Sequence, residues 1–269
     1  MKRSVAIKCF VISLEFAKER RQAISQQFAN IGMSFEYWPA VDGKEIPDEV
    51  FEGLDYSARD RNMLPPAGRG AVGCTLSHFA VFRHMIENRI QMAAIFEDDA
   101  MLHRDLQPVL RLLEGKEDKF DIVKLQRQWQ KPRFVPLYEL YPPYRLGRLK
   151  YSDVGTYGYV ITLRAAKHLL MQFPRPTYEI DWLISRFWEN GLGMVYYLDP
   201  PVVVHDESML SHIDGERSKV LQQYRSVQRG SLSATLRRWH HRVWNSVVRR
   251  RTFMKLRRLD RELDPHEFQ

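Results

Sequence analysis

The sequence predicts an α/β protein with a mostly parallel sheet flanked by helices. VAIKCFVISL (residues 5–14) is a β-branched apolar run, and EFAKERRQAISQQFANIG (residues 15–32) carries apolar residues at helical spacing. FEYWPAVDG then has the pattern of a short strand and turn. A strand–helix–strand opening is typical of parallel sheets, in which crossover helices connect neighbouring strands.

The same alternation continues along the chain. A helix is expected over residues 71–88, and the apolar run before Glu97 is expected to be a strand. The polar segment 44–69 is expected to be a surface excursion, and residues 129–150, with their prolines and aromatics, a long loop over one face. The later predicted elements are the strand FDIVKLQ, the strand VGTYGYVITL, the helix RAAKHLLMQF, the helix EIDWLISRFWENG ending at Gly191, and one or two strands in GMVYYLDPPVVVHD.

Composition favours one large folded domain with an appendage. The chain has 269 residues, 44% of them hydrophobic, which is enough for a sizeable core. Cys9 and Cys74 lie in apolar surroundings and are interpreted as reduced core residues. The opening MKRSVAIKCFVISLEF resembles a signal peptide, but Lys8 interrupts its apolar run and no typical cleavage site follows. The sequence therefore favours a cytoplasmic protein.

Positive charge is concentrated near the end of the chain. The formal net charge is +8, yet residues 217–259 contain 13 Lys or Arg and no Asp or Glu, which leaves −5 for the rest. This asymmetry predicts two parts: a catalytic domain over residues 1–225 and a basic, amphipathic helical tail over residues 226–269.

The tail has an apolar stripe on a basic background, which favours a membrane surface as its partner. The stripe consists of Leu232, Leu236, Trp239, Val243 and Val247. Together with Trp244 at its edge, this pattern is typical of an interfacial anchor on anionic lipid. Packing of the stripe on the catalytic domain or on a second subunit is an alternative, and a homodimer stays open. Nucleic acid is not expected, because contact with phosphate needs no apolar stripe.

The stretch AAIFEDDAML ends an apolar strand in three adjacent acids, Glu97, Asp98 and Asp99. Carboxylates this close repel one another and resist desolvation, so an interaction must compensate. A divalent cation is one such compensation, and hard oxygen ligands suit Mg²⁺ or Mn²⁺. The alternative is that the acids cap a turn or lie in solvent.

Five motifs occur in an order that resembles glycosyltransferase family 25, the bacterial lipopolysaccharide and lipooligosaccharide galactosyltransferases. They are FVISLEFAKERR, PAVDGKEI, GCTLSHFAVFRHM, AAIFEDDAML and GTYGYVIT, and the resemblance covers about residues 5–212. It implies a GT-A-type enzyme with a Rossmann-like sheet, which transfers a sugar from a UDP-sugar donor. Family members commonly move galactose from UDP-galactose into a β-linkage, with inversion, on a growing surface oligosaccharide.

The resemblance also implies roles for the acidic motif. IFEDDA resembles the metal-binding motif of GT-A enzymes, where Mn²⁺ or Mg²⁺ bridges the diphosphate of the donor. Asp99 is expected to touch the metal, and Glu97 or Asp98 to act through the ribose of the donor or through a bound water. All three acids are candidate metal ligands, and the resemblance does not assign one role to each. His205, in PPVVVHDESMLSHI, is a candidate additional ligand, with Asp206 beside it in the cleft.

Donor contacts are carried over from three other motifs. Leu14 and Glu15 are expected to meet the uridine, and Arg20 or Arg21 the phosphates, although both arginines would also suit a solvated helix face. The remaining candidates are Ser77, His78, Gly155 and Gly158. His78 could equally be a hydrogen-bonded core histidine, and the two glycines could mark a bulge or an edge strand.

Inverting transfer needs a base that deprotonates the attacking hydroxyl. TYEIDWLISRF places Glu179 and Asp181 at a helix start, and Asp181 matches an acid of the family pattern, which makes it the first candidate. The alternative for Asp181 is an ordinary carboxylate at a helix N-terminus. The aromatic-rich segment from Trp129 to Tyr151 offers ring faces to an acceptor sugar, although a hydrophobic lid would look the same.

Two other functions fit parts of the pattern. A metal-dependent phosphohydrolase or nuclease also gathers carboxylates, but usually from several strand ends and with His pairs. A non-catalytic membrane- or glycan-binding relative would not need Asp181 and the three adjacent acids. The preferred hypothesis is a transferase on the inner face of the bacterial cytoplasmic membrane.

Overall fold

The structure is a computed structural model that describes residues 6–52, 68–127, 134–151, 153–176, 178–206 and 232–268. In these ranges the strands are β1 (Lys8–Ser13), β2 (Glu36–Pro39), β3 (Met92–Glu97), β4 (Ala100–Leu102), β5 (Ile122–Lys124), β6 (Phe134–Glu139), β7 (Arg145–Leu149), β8 (Gly158–Thr162), β9 (Val195–Asp199) and β10 (Val203–His205). The helices are α1 (Lys18–Asn30), α2 (Asp48–Glu52), α3 (Arg69–Glu87), α4 (Leu106–Leu113), α5 (Leu163–Gln172), α6 (Ile180–Ser185) and α7 (Leu232–Leu259).

One large sheet organises the described part of the chain. Its eight strands lie in the order β2-β1-β3-β8-β5-β9-β7-β6. Only β8 and β7 run against the other six strands, so the sheet is mostly parallel in direction, which confirms the prediction. The carboxyl ends of β1, β3, β5 and β9 therefore meet at one edge, where β8 also begins. Strands β4 and β10 form a separate antiparallel pair.

Helices cover both faces of this sheet, because successive side chains of a strand point to opposite sides. In β1, Cys9 and Val11 belong to one buried cluster, whereas Phe10 and Ile12 belong to another. The first cluster includes residues of α1 and α4, and the second includes residues of α3, α5 and α6. This two-sided burial confirms the α/β architecture and explains why β1 is a nearly continuous apolar run.

The first long helices confirm the sequence prediction closely. Helix α1 ends at Asn30, and Gly32 follows with a φ of 67°, a left-handed conformation that glycine adopts at little cost. Helix α3 covers Arg69–Glu87, where residues 71–88 were expected to be helical. Of the expected excursion at 44–69, residues 53–67 lie outside the described residues.

The prediction of a long loop over residues 129–150 is wrong for its described part. Strands β6 and β7 form an antiparallel hairpin there, joined through Pro142 and Pro143. Pro136 is tolerated because β6 is the edge strand, bonded only to β7, and the register shifts just after it. Alternate residues of this stretch are buried at Tyr138 and Leu140, a period-two pattern that the prolines obscured.

Helix α6 is shorter than predicted. It ends at Ser185, and the chain turns before Gly191, which has a φ of 73°. The Asn190 side chain donates a hydrogen bond to the Leu183 carbonyl at 2.8 Å and accepts one from the Leu192 amide at 2.9 Å. These contacts cap the early helix end, so the turn replaces the last predicted turns of helix.

The end of the chain packs against the sheet. Phe253 and Leu256 of α7 form a buried cluster with Phe187. Just after α7, Asp260 accepts two hydrogen bonds from Arg148 of β7, both at 2.8 Å, and the two side chains are only 3% and 6% exposed. Further on, Phe268 is fully buried. The last part of the tail is therefore a packed element of the described structure.

A different face of α7 remains exposed. Val243 and Val247, two members of the predicted apolar stripe, lie on this face together with Trp244 and Met254. The side chains of Leu232, Leu236 and Trp239 lie outside the described residues, as does the predicted boundary near residue 225. The division into residues 1–225 and 226–269 thus stays a prediction. Among the described helices, none combines the length and the apolar character needed to cross a bilayer.

We expect Asp260→Ala to lower the free energy of unfolding by about 3–5 kcal/mol, because it leaves the buried Arg148 guanidinium unpaired. Urea unfolding of the variant and the wild type measures this difference. Glu262→Ala, which removes an exposed acid two residues away, is the matched control and should change stability little. Equal stability of the Asp260 variant and the wild type would show that the buried pair of Arg148 and Asp260 contributes nothing to folding.

Candidate active site

The predicted acidic motif lies at the edge where strand ends converge. Ser13 ends β1, Glu97 ends β3, and Lys124 ends β5. Thr156 lies just before β8, which starts at the same edge. In open α/β sheets, ligands bind outside the carboxyl ends of strands. The fold therefore places the acids where a substrate cleft is expected.

Asp98 has two stabilising neighbours. The Ser13 hydroxyl donates a hydrogen bond to Asp98 Oδ2 at 2.7 Å, and Arg20 Nη1 lies 3.1 Å from Oδ1. Ser13 is buried, and the Arg20 side chain is only 14% exposed, so solvent screens this pair weakly. Arg20, predicted from the resemblance as a phosphate contact, thus belongs to the acidic cluster.

Asp99 is less well compensated. Its Oδ2 lies 3.5 Å from Arg20 Nη1 and 3.6 Å from His205 Nε2, while its buried Oδ1 has no hydrogen-bond partner among the described residues. Burial, followed by the negative charge of Glu97, raises the pKa of the Asp99 carboxyl to about 7. A carboxylate oxygen that is buried and unpaired fits a cation ligand, so the residues present suit Mn²⁺ or Mg²⁺.

The β4–β10 pair brings His205 to this cluster. His205 lies opposite Ala100 in the ladder, and its ring stacks on Tyr157 with centroids 4.5 Å apart. The next amide, that of Asp206, donates a hydrogen bond to the Asp99 carbonyl at 3.1 Å. A residue more than 100 positions away in sequence therefore lies beside the acidic motif, where a further metal ligand was predicted.

Glu97 contacts a separate set of groups. The Thr156 hydroxyl donates a hydrogen bond to Glu97 Oε1, and His78 Nε2 lies 3.7 Å from the same oxygen. Burial raises the pKa of the Glu97 carboxyl, but its contacts with His78 and Thr156 outweigh burial and hold the pKa below its ordinary value. Glu97 is consequently held as an ionised carboxylate at the end of β3.

Asp181 lies in the first turn of α6, two residues after Glu179, which caps the helix. Its Oδ1 accepts a hydrogen bond from the Trp182 amide at 2.8 Å, and its Oδ2 accepts one from the Gly155 amide at 3.2 Å. Gly155 has a φ of 89°, a left-handed conformation that turns its amide without steric cost. Asp181, the first predicted base candidate, is thus brought together with Gly155.

Lys124 is a feature of the site that the sequence reasoning missed. It is fully buried, and its Nζ donates hydrogen bonds to the carbonyls of Asp153 and Gly155, both at 2.8 Å, and to the Ser185 hydroxyl at 3.0 Å. Burial lowers the pKa of Lys124 to about 8. A lysine within the apolar strand FDIVKLQ was the available signal, because lysine is almost never fully buried without a role.

Other predicted site residues have packing roles or lie at the rim. Ser77 accepts a hydrogen bond from the Val41 amide at 2.8 Å and donates one to the Gly73 carbonyl at 2.7 Å, which ties α3 to the loop after β2. A Cβ on Gly158 would lie 2.9 Å from the Val203 side chain, so internal packing already requires glycine there. Leu14 is half-buried and Glu15 exposed just after β1, at the rim of the cleft.

Comparison with known proteins gives a family match. The family described as "Glycosyltransferase family 25 (LPS biosynthesis protein)" matches residues 6–184. The chain is 26% identical over 207 residues to the lacto-N-neotetraose biosynthesis glycosyltransferase LgtE of Neisseria meningitidis serogroup B, covering 73% of each protein. It is 24% identical over 236 residues to the lipooligosaccharide biosynthesis protein lex-1 of Haemophilus influenzae, covering 75% of this chain and 77% of that protein.

An animal protein shares the same region. The chain is 31% identical over 180 residues to procollagen galactosyltransferase 1-A of Xenopus laevis, which covers 61% of this chain and 28% of that protein. The family match spans most of the chain and contains the strand ends that carry Ser13 and Glu97 and the helix start that carries Asp181. The protein therefore belongs to glycosyltransferase family 25.

Proposed function

We propose that the protein transfers galactose from UDP-galactose to a lipooligosaccharide or lipopolysaccharide acceptor, forming a β-linkage with inversion. Family membership supports a nucleotide-sugar donor. The names of LgtE and lex-1 support the acceptor class, and the name of the Xenopus laevis relative supports galactose. The observation that carries the proposal is the cluster of Glu97, Asp98 and Asp99 at the sheet edge, with one buried Asp99 oxygen unpaired among the described residues.

Asp98 and Asp99 are the residues that would hold Mn²⁺ or Mg²⁺, with His205 beside them. Such an ion neutralises charge on the diphosphate of the donor when it is bound. Arg20 brings a guanidinium to the same place, where it can bind phosphate oxygens in the planar manner that suits this group. Thr156 and His78 keep Glu97 ionised, and Glu97 can then accept hydrogen bonds from donor hydroxyl groups.

Asp181 is the proposed base that takes the proton of the attacking acceptor hydroxyl, and Glu179 is the second candidate. The amides of Gly155 and Trp182 hold the Asp181 carboxylate in one orientation. A carboxylate oxygen can accept more than one hydrogen bond, so these contacts position Asp181 without preventing proton transfer to it.

The tail is proposed to bind the anionic surface of the inner membrane through the exposed face of α7. Trp244 and Met254 are 58% and 52% exposed on this face. The neighbouring cations are Arg250, Arg251, Lys255 and Arg258. An apolar strip flanked by cations complements lipid acyl chains and anionic headgroups together. The Phe253 side packs on the body, so membrane binding would leave the fold intact.

We expect Asp99→Ala to abolish transfer of radiolabelled galactose from UDP-galactose to truncated lipooligosaccharide in the presence of Mn²⁺, because the predicted metal site loses a ligand. Addition of EDTA to the wild type should have the same effect. Asp118→Ala, which removes an exposed acid outside the cleft, should transfer at the wild-type rate. Nucleotide hydrolysis without labelled glycan would favour a phosphohydrolase, and glycan binding without either reaction a non-catalytic relative.

Asp181→Asn should lower kcat by about 10²-fold or more, which is within the usual range for loss of a general base. The amide retains the acceptor oxygen and similar volume, so the loop around Gly155 should stay in place. Steady-state kinetics with varied UDP-galactose should show little change in donor affinity. A large loss of donor affinity with near-normal kcat would instead identify Asp181 as a donor contact.

The double variant Arg251→Glu/Lys255→Glu should bind phosphatidylglycerol-containing vesicles at least about tenfold more weakly than the wild type, since each cation near such a surface contributes about 1 kcal/mol. Vesicle co-sedimentation measures the affinity. Arg83→Glu/Lys167→Glu makes the same charge change on the exposed faces of α3 and α5. Equal weakening by both double variants would mean that net charge, and not the face of α7, determines binding.

A further inference from the structure

Three potential metal ligands of different chemistry meet behind the acidic motif. Cys74 and His78 are four residues apart on α3, and therefore lie on the same helix face. Glu97 reaches them from the end of β3. The Cys74 sulfur, a His78 ring nitrogen and a Glu97 oxygen all lie within 4.8 Å of one another.

His78 provides an independent indication that this cluster binds something. The residue is fully buried, and its Nδ1 lies 2.7 Å from the Tyr159 hydroxyl, which fixes the ring. The other nitrogen, Nε2, points towards Glu97 Oε1 at 3.7 Å, beyond hydrogen-bond distance, and has no hydrogen-bond partner among the described residues. Buried polar atoms normally form a hydrogen bond, whereas this ring nitrogen has only the longer ion-pair contact with Glu97.

We propose that Cys74, His78 and Glu97 form a binding site for Zn²⁺, distinct from the site of Asp98 and Asp99. Zn²⁺ binds thiolate sulfur, imidazole nitrogen and carboxylate oxygen, whereas Mg²⁺ and Mn²⁺ prefer oxygen ligands. Ligands about 2.0–2.3 Å from a tetrahedral ion lie roughly 3.3–3.8 Å apart. The observed 3.7 Å between His78 and Glu97 fits this range. The Cys74 sulfur lies within 4.8 Å of both, so the three side chains would close around the ion.

The groups around the three ligands suit this role. The Tyr159 hydroxyl contacts His78 Nδ1, and the Thr156 hydroxyl donates a hydrogen bond to Glu97. Such contacts orient two of the three ligands, as the partners of metal-bound side chains commonly do. Binding is a proton exchange without redox change: the Cys74 thiol gives its proton to solvent, and the thiolate donates an electron pair to the ion. Because the thiol must lose its proton before it binds the ion, Zn²⁺ affinity should rise with pH.

Spectroscopy with Co²⁺ as a probe tests the site, because a cobalt–thiolate bond produces a charge-transfer absorption band in the near ultraviolet. We expect this band in the full-length wild type and its loss in Cys74→Ser. Cys9→Ser is a matched control, because it changes the other cysteine of the chain, a core residue of β1. The band should persist in Cys9→Ser and also in Asp99→Asn, which alters only the oxygen-ligand site.

A competition titration of Zn²⁺ against a chromophoric chelator supplies the affinity. His78→Gln should weaken Zn²⁺ binding by at least about tenfold, the lower bound seen even for residues that merely orient ligands. In the wild-type protein, Zn²⁺ should slow the alkylation of Cys74. Peptide mass spectrometry measures the rate of this alkylation, so the readout needs no variant. Any one of four results would overturn the proposal: absence of the band in the wild type, its persistence in Cys74→Ser, its loss in Asp99→Asn, or an alkylation rate that Zn²⁺ does not change.

Discussion

Mutual repulsion among adjacent carboxylates is the constraint on which the cleft depends. Glu97, Asp98 and Asp99 follow one another at the end of β3, and burial makes their negative charges more costly. The fold stabilises each acid differently. Ser13 and Arg20 contact Asp98, and Thr156 and His78 contact Glu97. One oxygen of Asp99 has no hydrogen-bond partner among the described residues. Each acid therefore has a different environment, although the three are consecutive in sequence.

That arrangement depends on the topology of the sheet. Strands β1, β3 and β5 end at one edge, so Ser13, Glu97 and Lys124 are neighbours despite their separation in sequence. Antiparallel β8 lies between β3 and β5 and begins at the same edge, which brings Thr156 to Glu97. A fully parallel sheet would place the start of that strand at the opposite edge, away from the acids.

Local patterns predicted the parts of the fold that have one strong periodicity. The apolar run of β1 and the helical spacing of α1 and α3 identify these elements because each is buried on a defined side. The hairpin of β6 and β7 was missed because Pro136, Pro142 and Pro143 are typical of loops, and only an edge position makes them compatible with a strand. In the site, the acids were visible in sequence, whereas the pairing of Arg20 with Asp98 depends on tertiary contacts.

The loop before β8 connects the two halves of the cleft. Thr156 binds Glu97 on the side of the acidic cluster, and the adjacent Gly155 binds Asp181 on the side of α6. Lys124 holds this loop from below through two carbonyls. Neighbouring residues of one short, anchored loop therefore link the acidic cluster to the start of α6. For the proposed donor and acceptor, binding on one side would be transmitted to the other through this loop, without contact between the two substrates.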